Sequence, residues 1–200
     1  MSSADRLPAA ARAVLTFWFG LPGSPGWDES RRQWVTKSDD FDARIREQFL
    51  SDWQAACDGA EDDWSVTPEG ACARIVLLDQ FPRNMFRGDP RSFATDGQAL
   101  ALARRMLADG WDRQLPTDWH RTFCYLPFEH AESMADQEIS VRETTALRDE
   151  TAGRVDVVDW AVKHREIIAR FGRFPHRNAV LGRESSADEL AFLKQPGSRF

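Results

Sequence analysis

Three polar residues fall where the apolar spacing calls for burial. Asp79 ends the apolar run Ala71–Leu78, His130 lies on the stripe Phe123, Leu126, His130, Met134, and His164 lies on the stripe Ala161, His164, Ile168, Phe171. A buried polar group must be hydrogen-bonded and a buried charge paired, or burial is costly. Two imidazoles and a carboxylate are also the parts of general acid–base chemistry. An imidazole trades a proton near neutral pH, and a carboxylate fixes which ring nitrogen carries it. In that reading His130 and His164 act as acid and base, and Asp79 orients one ring. The plainer reading makes them core residues that lock helix to helix, with Asp79 paired to Arg83 four positions on.

A second set of residues points to anion binding. Of the 26 basic residues only 3 are Lys, so 23 are Arg, against 32 acidic residues. Arg presents a planar fork of donors that matches carboxylate and phosphate. Two segments echo one another: LLDQFPRNMFRGDPRS at 77–92 and IARFGRFPHRNAVLGRESS at 168–186. Each ends a helix, passes Phe-Pro, then Arg-Asn, and closes at Gly. Arg83, Asn84, Arg87, Arg173, Arg177 and Asn178 would line a pocket for an anionic small molecule or a peptide carboxylate. The plainer reading has the later arginines in solvated salt bridges with Glu132, Asp136 and Glu166. A third reading is a scaffold whose outer surface meets a partner protein; the eight Trp permit this. The anion-binding module leads, and an enzyme using His130 and His164 is the alternative.

The net charge of −6 argues against a nucleic-acid partner. No apolar run approaches the ~20 residues that span a bilayer, and the start lacks a leader pattern. A soluble, cytoplasmic chain is therefore expected, with the oligomeric state open. Cys57, Cys72 and Cys124 are odd in number and widely spaced, so neither a disulfide framework nor a zinc knuckle is expected. The four histidines include no H-E-x-x-H motif, and the chain is read with no metal and no cofactor.

The elements that must carry these residues read as helices almost throughout. Ser38 caps a helix with Phe41, Ile45, Phe49, Trp53 and Cys57 at a spacing of four, and Gly59 fits its end. Thr67-Pro68-Glu69 opens a central, all-round apolar helix, which Pro82 is expected to stop by pushing Phe81 out of the α region. Asp96 is read as the cap of a helix with Leu100, Ala103 and Leu107 inward. Thr117 caps another helix, which Pro127 should kink or split. Further helices are expected over 136–147 and 156–171. Ser186 and Glu189 form a capping box before a last short helix. No strand alternation appears. The 200 residues are expected to form a single helical domain.

Five motifs in order, LTFWFG, LLDQFPRNMFRG, FATDGQALALAR, YLPFEHAE with ADQE, and HREIIARFGRFPHRNAVLGRES, resemble a bacterial family classed as domain of unknown function 924. The likeness runs from about Val14 to Phe200. It implies an all-α fold of tetratricopeptide-like antiparallel helical pairs in a short right-handed array. It implies no established activity and no assigned catalytic residue.

Overall fold

Side-chain caps set where several helices begin in the computed structural model, which describes residues 7–198; the opening residues 1–6, read for a leader, lie outside that range. Helix α1 spans Ala9–Phe19, α2 Arg32–Val35 and α3 Asp39–Cys57. Ser38 Oγ accepts from Phe41 N–H at 3.3 Å, which satisfies an otherwise orphan donor. Helix α4 spans Pro68–Ile75, with Thr67 Oγ1 accepting from Gly70 N–H and Pro68 in the first turn. Gly70 is required there: a Cβ would stand 2.0 Å from the Trp64 carbonyl oxygen. Every element among the described residues is helix or turn, with no strand.

The chain divides into two compact units, Met1–Arg87 with Arg91–Pro127, and Gly88–Pro90 with Phe128–Phe200. The core of the first unit forms where α1, α3 and α4 bring Trp18, Phe41, Ile45, Phe49 and the run 71–78 out of solvent. Aromatic rings interlock there, with Phe49 on Phe81 at 4.8 Å and Trp18 on Phe81 at 5.6 Å.

Pro82 does not stop the central helix, contrary to the sequence expectation. The rod passes through a π-helical turn, Val76–Gln80, into α5, Phe81–Met85, and Phe81 keeps α geometry at φ −61° and ψ −39°. The wider turn lets Phe81 N–H reach Val76 O. The Leu78 carbonyl, which proline leaves without its usual donor, accepts instead from Thr95 Oγ1 at 2.5 Å. Helix α6 spans Asp96–Ala108. Asp96 is its first residue, and no side chain caps this helix. Its buried face is Ala99, Ala103 and Met106, one position off the expected stripe at both ends.

Helix α7 spans Asp118–Glu129, and Thr117 Oγ1 accepts from His120 N–H. Pro127 is tolerated inside it, two residues before its end, and does not split it. Of the expected inward stripe, Phe123 is buried, Leu126 and His130 are half-buried and Met134 is exposed, while Cys124, Tyr125, Phe128 and Glu129 are buried.

The second unit is organised by α8, Met134–Glu150, packed on α9, Val158–Phe171. Ser133 caps α8 at Asp136 N–H. Gly172, at φ 70°, ends α9 in the left-handed region that glycine adopts without cost. Ile167, Ile168 and Phe174 form an apolar cluster, flanked by Phe171 and Phe192. Helix α10, Ala187–Phe192, opens with the expected capping box of Ser186 and Glu189. Among the described residues, no helix is long and apolar enough to cross a membrane.

Candidate functional site

His164 lies on the buried face of α9, and its side chain is 7% exposed. Its Nδ1 is 2.8 Å from the Trp160 carbonyl oxygen, one turn back, and 3.1 Å from Glu129 Oε1. A carbonyl oxygen can only accept, so Nδ1 carries the proton and shares it between two acceptors. The remaining nitrogen, Nε2, therefore holds the lone pair of the neutral ring.

Burial pushes the His164 pKa down to about 3, and the electrostatic influence of His130, Arg177 and His176 pushes the same way, while the hydrogen bond to the Trp160 carbonyl pushes back. At neutral pH the ring is uncharged, so its contact with Glu129 is a hydrogen bond to a neutral imidazole. The His130 ring centroid stands 6.2 Å from that of His164. Phe174 closes one side with an edge contact at 5.5 Å. The Arg177 guanidinium lies over the Phe174 ring at 4.6 Å, and His176 is 5.6 Å from that same ring.

The turn that follows α7 is fixed from several directions. Glu132 accepts from Arg183 at 2.6 and 2.9 Å and from Phe174 N–H at 2.8 Å. Burial works against the charge on Glu132, but these hydrogen bonds prevail and hold its carboxyl below the usual range. Arg183 Nε donates to Asn178 Oδ1, and Asn178 Nδ2 donates to Ser185 Oγ. Arg173 makes a two-pronged pair with Glu189 at 2.7 and 2.8 Å. Hydrogen bonds from Arg173 hold the Glu189 carboxyl down at about 2.

The other expected site residues lie in the first unit. Asp79 is fully buried on the π-helical turn, 3.3 Å from Arg83. Arg83 also forks onto Asp96 at 2.8 and 2.9 Å. Asn84 and Arg87 both bind Asp42, at 2.7 Å and at 2.5 and 3.0 Å. The structure thus brings His130, His164, Arg177 and His176 into one cluster, while Arg83, Asn84, Arg87 and Arg173 are each held by a carboxylate. Sequence reasoning did not single out Glu129. The signal was its place beside His130 in YLPFEHAE, yet nothing in spacing joins it to His164, 35 residues away. Among the described residues, no group of three or more His, Cys, Asp and Glu is placed to hold a metal ion.

By class, this is an all-helical protein whose second unit holds a buried histidine–carboxylate pair. The chain belongs to a bacterial family of proteins of unknown function, DUF924, whose model matches residues 14–197. It is similar to the solved structure of a protein of unknown function from Agrobacterium tumefaciens, at 34% identity and a TM-score of 0.81, over 93% of this chain and 97% of that one. Comparison with curated proteins gives no match.

Proposed function

We propose that the second unit is a general acid–base site for a small anionic substrate, such as a carboxylate or phosphate ester. The observation that carries this reading is His164 Nδ1 held by both Trp160 O and Glu129 Oε1, with the His130 ring 6.2 Å away. A ring fixed in this tautomer directs Nε2 as the base. When Nε2 takes a proton, Glu129 at Nδ1–H offsets the new positive charge. His130 is the second group able to move a proton, and Arg177 offers the anion a guanidinium.

The anionic substrate class follows from the electrostatics. His130, Arg177 and His176 all press His164 toward neutrality. An anion seated among them cancels part of that field, so the His164 pKa rises toward the range where a base is effective. An Arg-only site has less support, because Arg83, Arg87 and Arg173 already face carboxylates. The test is turnover of p-nitrophenyl phosphate and of a carboxylate-bearing p-nitrophenyl ester. His164→Gln and His130→Gln should each slow the reaction by about 10²–10⁴-fold. Rates unchanged in both variants, or absent from the wild type, would overturn the reading.

A further inference from the structure

Gln137 stands one turn into α8 and is fully buried. Its Nε2 lies 3.3, 2.6 and 2.8 Å from the carbonyl oxygens of Phe128, Glu129 and Ala131. These carbonyls end α7 and form the turn beyond it, where the helix itself supplies no donors. The Glu129 and Ala131 carbonyls flank His130. One side-chain amide therefore grips the backbone on both sides of Glu129 and the carbonyl one residue beyond His130.

The amide orientation is set by this contact, since a flipped group would turn its oxygen onto three other oxygens. Its own Oε1 is buried with no hydrogen-bond partner, as is Ser140 Oγ, three residues on along the same helix face. Native interiors rarely leave such atoms unmet, and a helix end can be finished by glycine or by a lysine at the surface without that penalty. A fully buried glutamine here is accounted for by what it fixes.

We infer that Gln137 is the positioning residue of the site: by clamping the carbonyls of Phe128, Glu129 and Ala131 it sets where the Glu129 carboxylate meets His164 and where His130 projects. This rests on the acid–base reading for its purpose, but it acts through geometry in the free protein.

The experiment is imidazole NMR on the full chain without any anion. In Gln137→Met, which keeps length and loses the donors, the His164 Nδ1–H signal should weaken or exchange with solvent, and the His130 ring signals should move. Thr144→Val, at another buried position of α8, should leave both as in the wild type. Unmoved histidine signals in a folded Gln137→Met protein would overturn the inference, and so would equal changes in Thr144→Val. Should Gln137→Met fail to fold, the reverse arm decides. Removing the Glu129 partner with His164→Gln should shift the Gln137 side-chain amide signals, and unmoved amide signals would refute the clamp. A failed turnover screen would leave this result standing, and a failed clamp would leave the turnover result standing.

Discussion

The two Phe-Pro segments share residues and differ in what holds them. In the first unit, Phe81-Pro82-Arg83-Asn84 opens α5; Gly88, next along the chain after that unit's Arg87, has φ 77°. In the second, Phe174-Pro175-His176-Arg177-Asn178 makes a single 3-10 turn, and Gly182 follows with φ 65°. The backbone device is the same: proline starts a turn and glycine closes it. The charges are disposed differently. Arg83 faces Asp79 and Asp96, and Arg87 faces Asp42. Arg177 lies over a phenyl ring beside histidines. One motif thus serves twice, once as an electrostatic lock and once as the wall of a histidine cluster.

Breaking the lock should give the largest effect. Arg83→Ala leaves the fully buried Asp79 carboxylate without its cation, which costs about 3–5 kcal/mol. Denaturant unfolding should show that loss. Arg177→Ala removes a buried guanidinium that lies over the Phe174 ring and lowers the Glu132 carboxyl, and it should weaken the response of the histidines to phosphate. An unchanged phosphate response in Arg177→Ala, or a matching loss of response in Arg83→Ala, would erase the distinction between the segments.

Acid should sharpen the comparison next, because each unit holds one buried neutral histidine. His120, in the first, is stacked on Phe19 at 3.7 Å with Thr117 Oγ1 on Nδ1 at 2.7 Å, and burial pushes it down to about 3. His164, in the second, reaches the same value by burial and by the electrostatic influence of His130, Arg177 and His176. Both fold with a pKa below the unfolded value of 6.5. Between that value and about 3, the unfolded chain binds protons that the folded chain refuses. Stability therefore falls as pH drops below 6.5, by at most roughly 1.4 kcal/mol per unit for each histidine, and neither contributes to the slope above it. Denaturant midpoints measured from pH 6.5 down to about 5, above the range where Glu132 and Glu189 add their own loss, should show the decline, and His120→Phe should flatten it by about half.

Much of the fold was legible because it is local. Ser38, Thr67 and the Ser186–Glu189 box act within three residues, so spacing alone finds them. The passage through Pro82 was not legible, since the donor that makes it possible, Thr95, lies 17 positions away. The site was half legible for the same reason. His130 and His164 stood out as polar residues on apolar stripes. Their partners did not: Glu129 joins His164 only through the fold, and Gln137 reads as an ordinary α8 residue until its amide is seen on three carbonyls. Asp79, read as a residue that orients an imidazole or more plainly as a partner of Arg83, is buried 3.3 Å from Arg83.

The measurement closest to the central claim is the protonation of His164 by long-range imidazole NMR, with His120 as the internal reference. At neutral pH His164 should be uncharged, with the proton on Nδ1. Inorganic phosphate should raise its pKa while leaving His120 unchanged. A charged His164 at neutral pH, a proton on Nε2, or a phosphate response equal at both histidines would contradict the account.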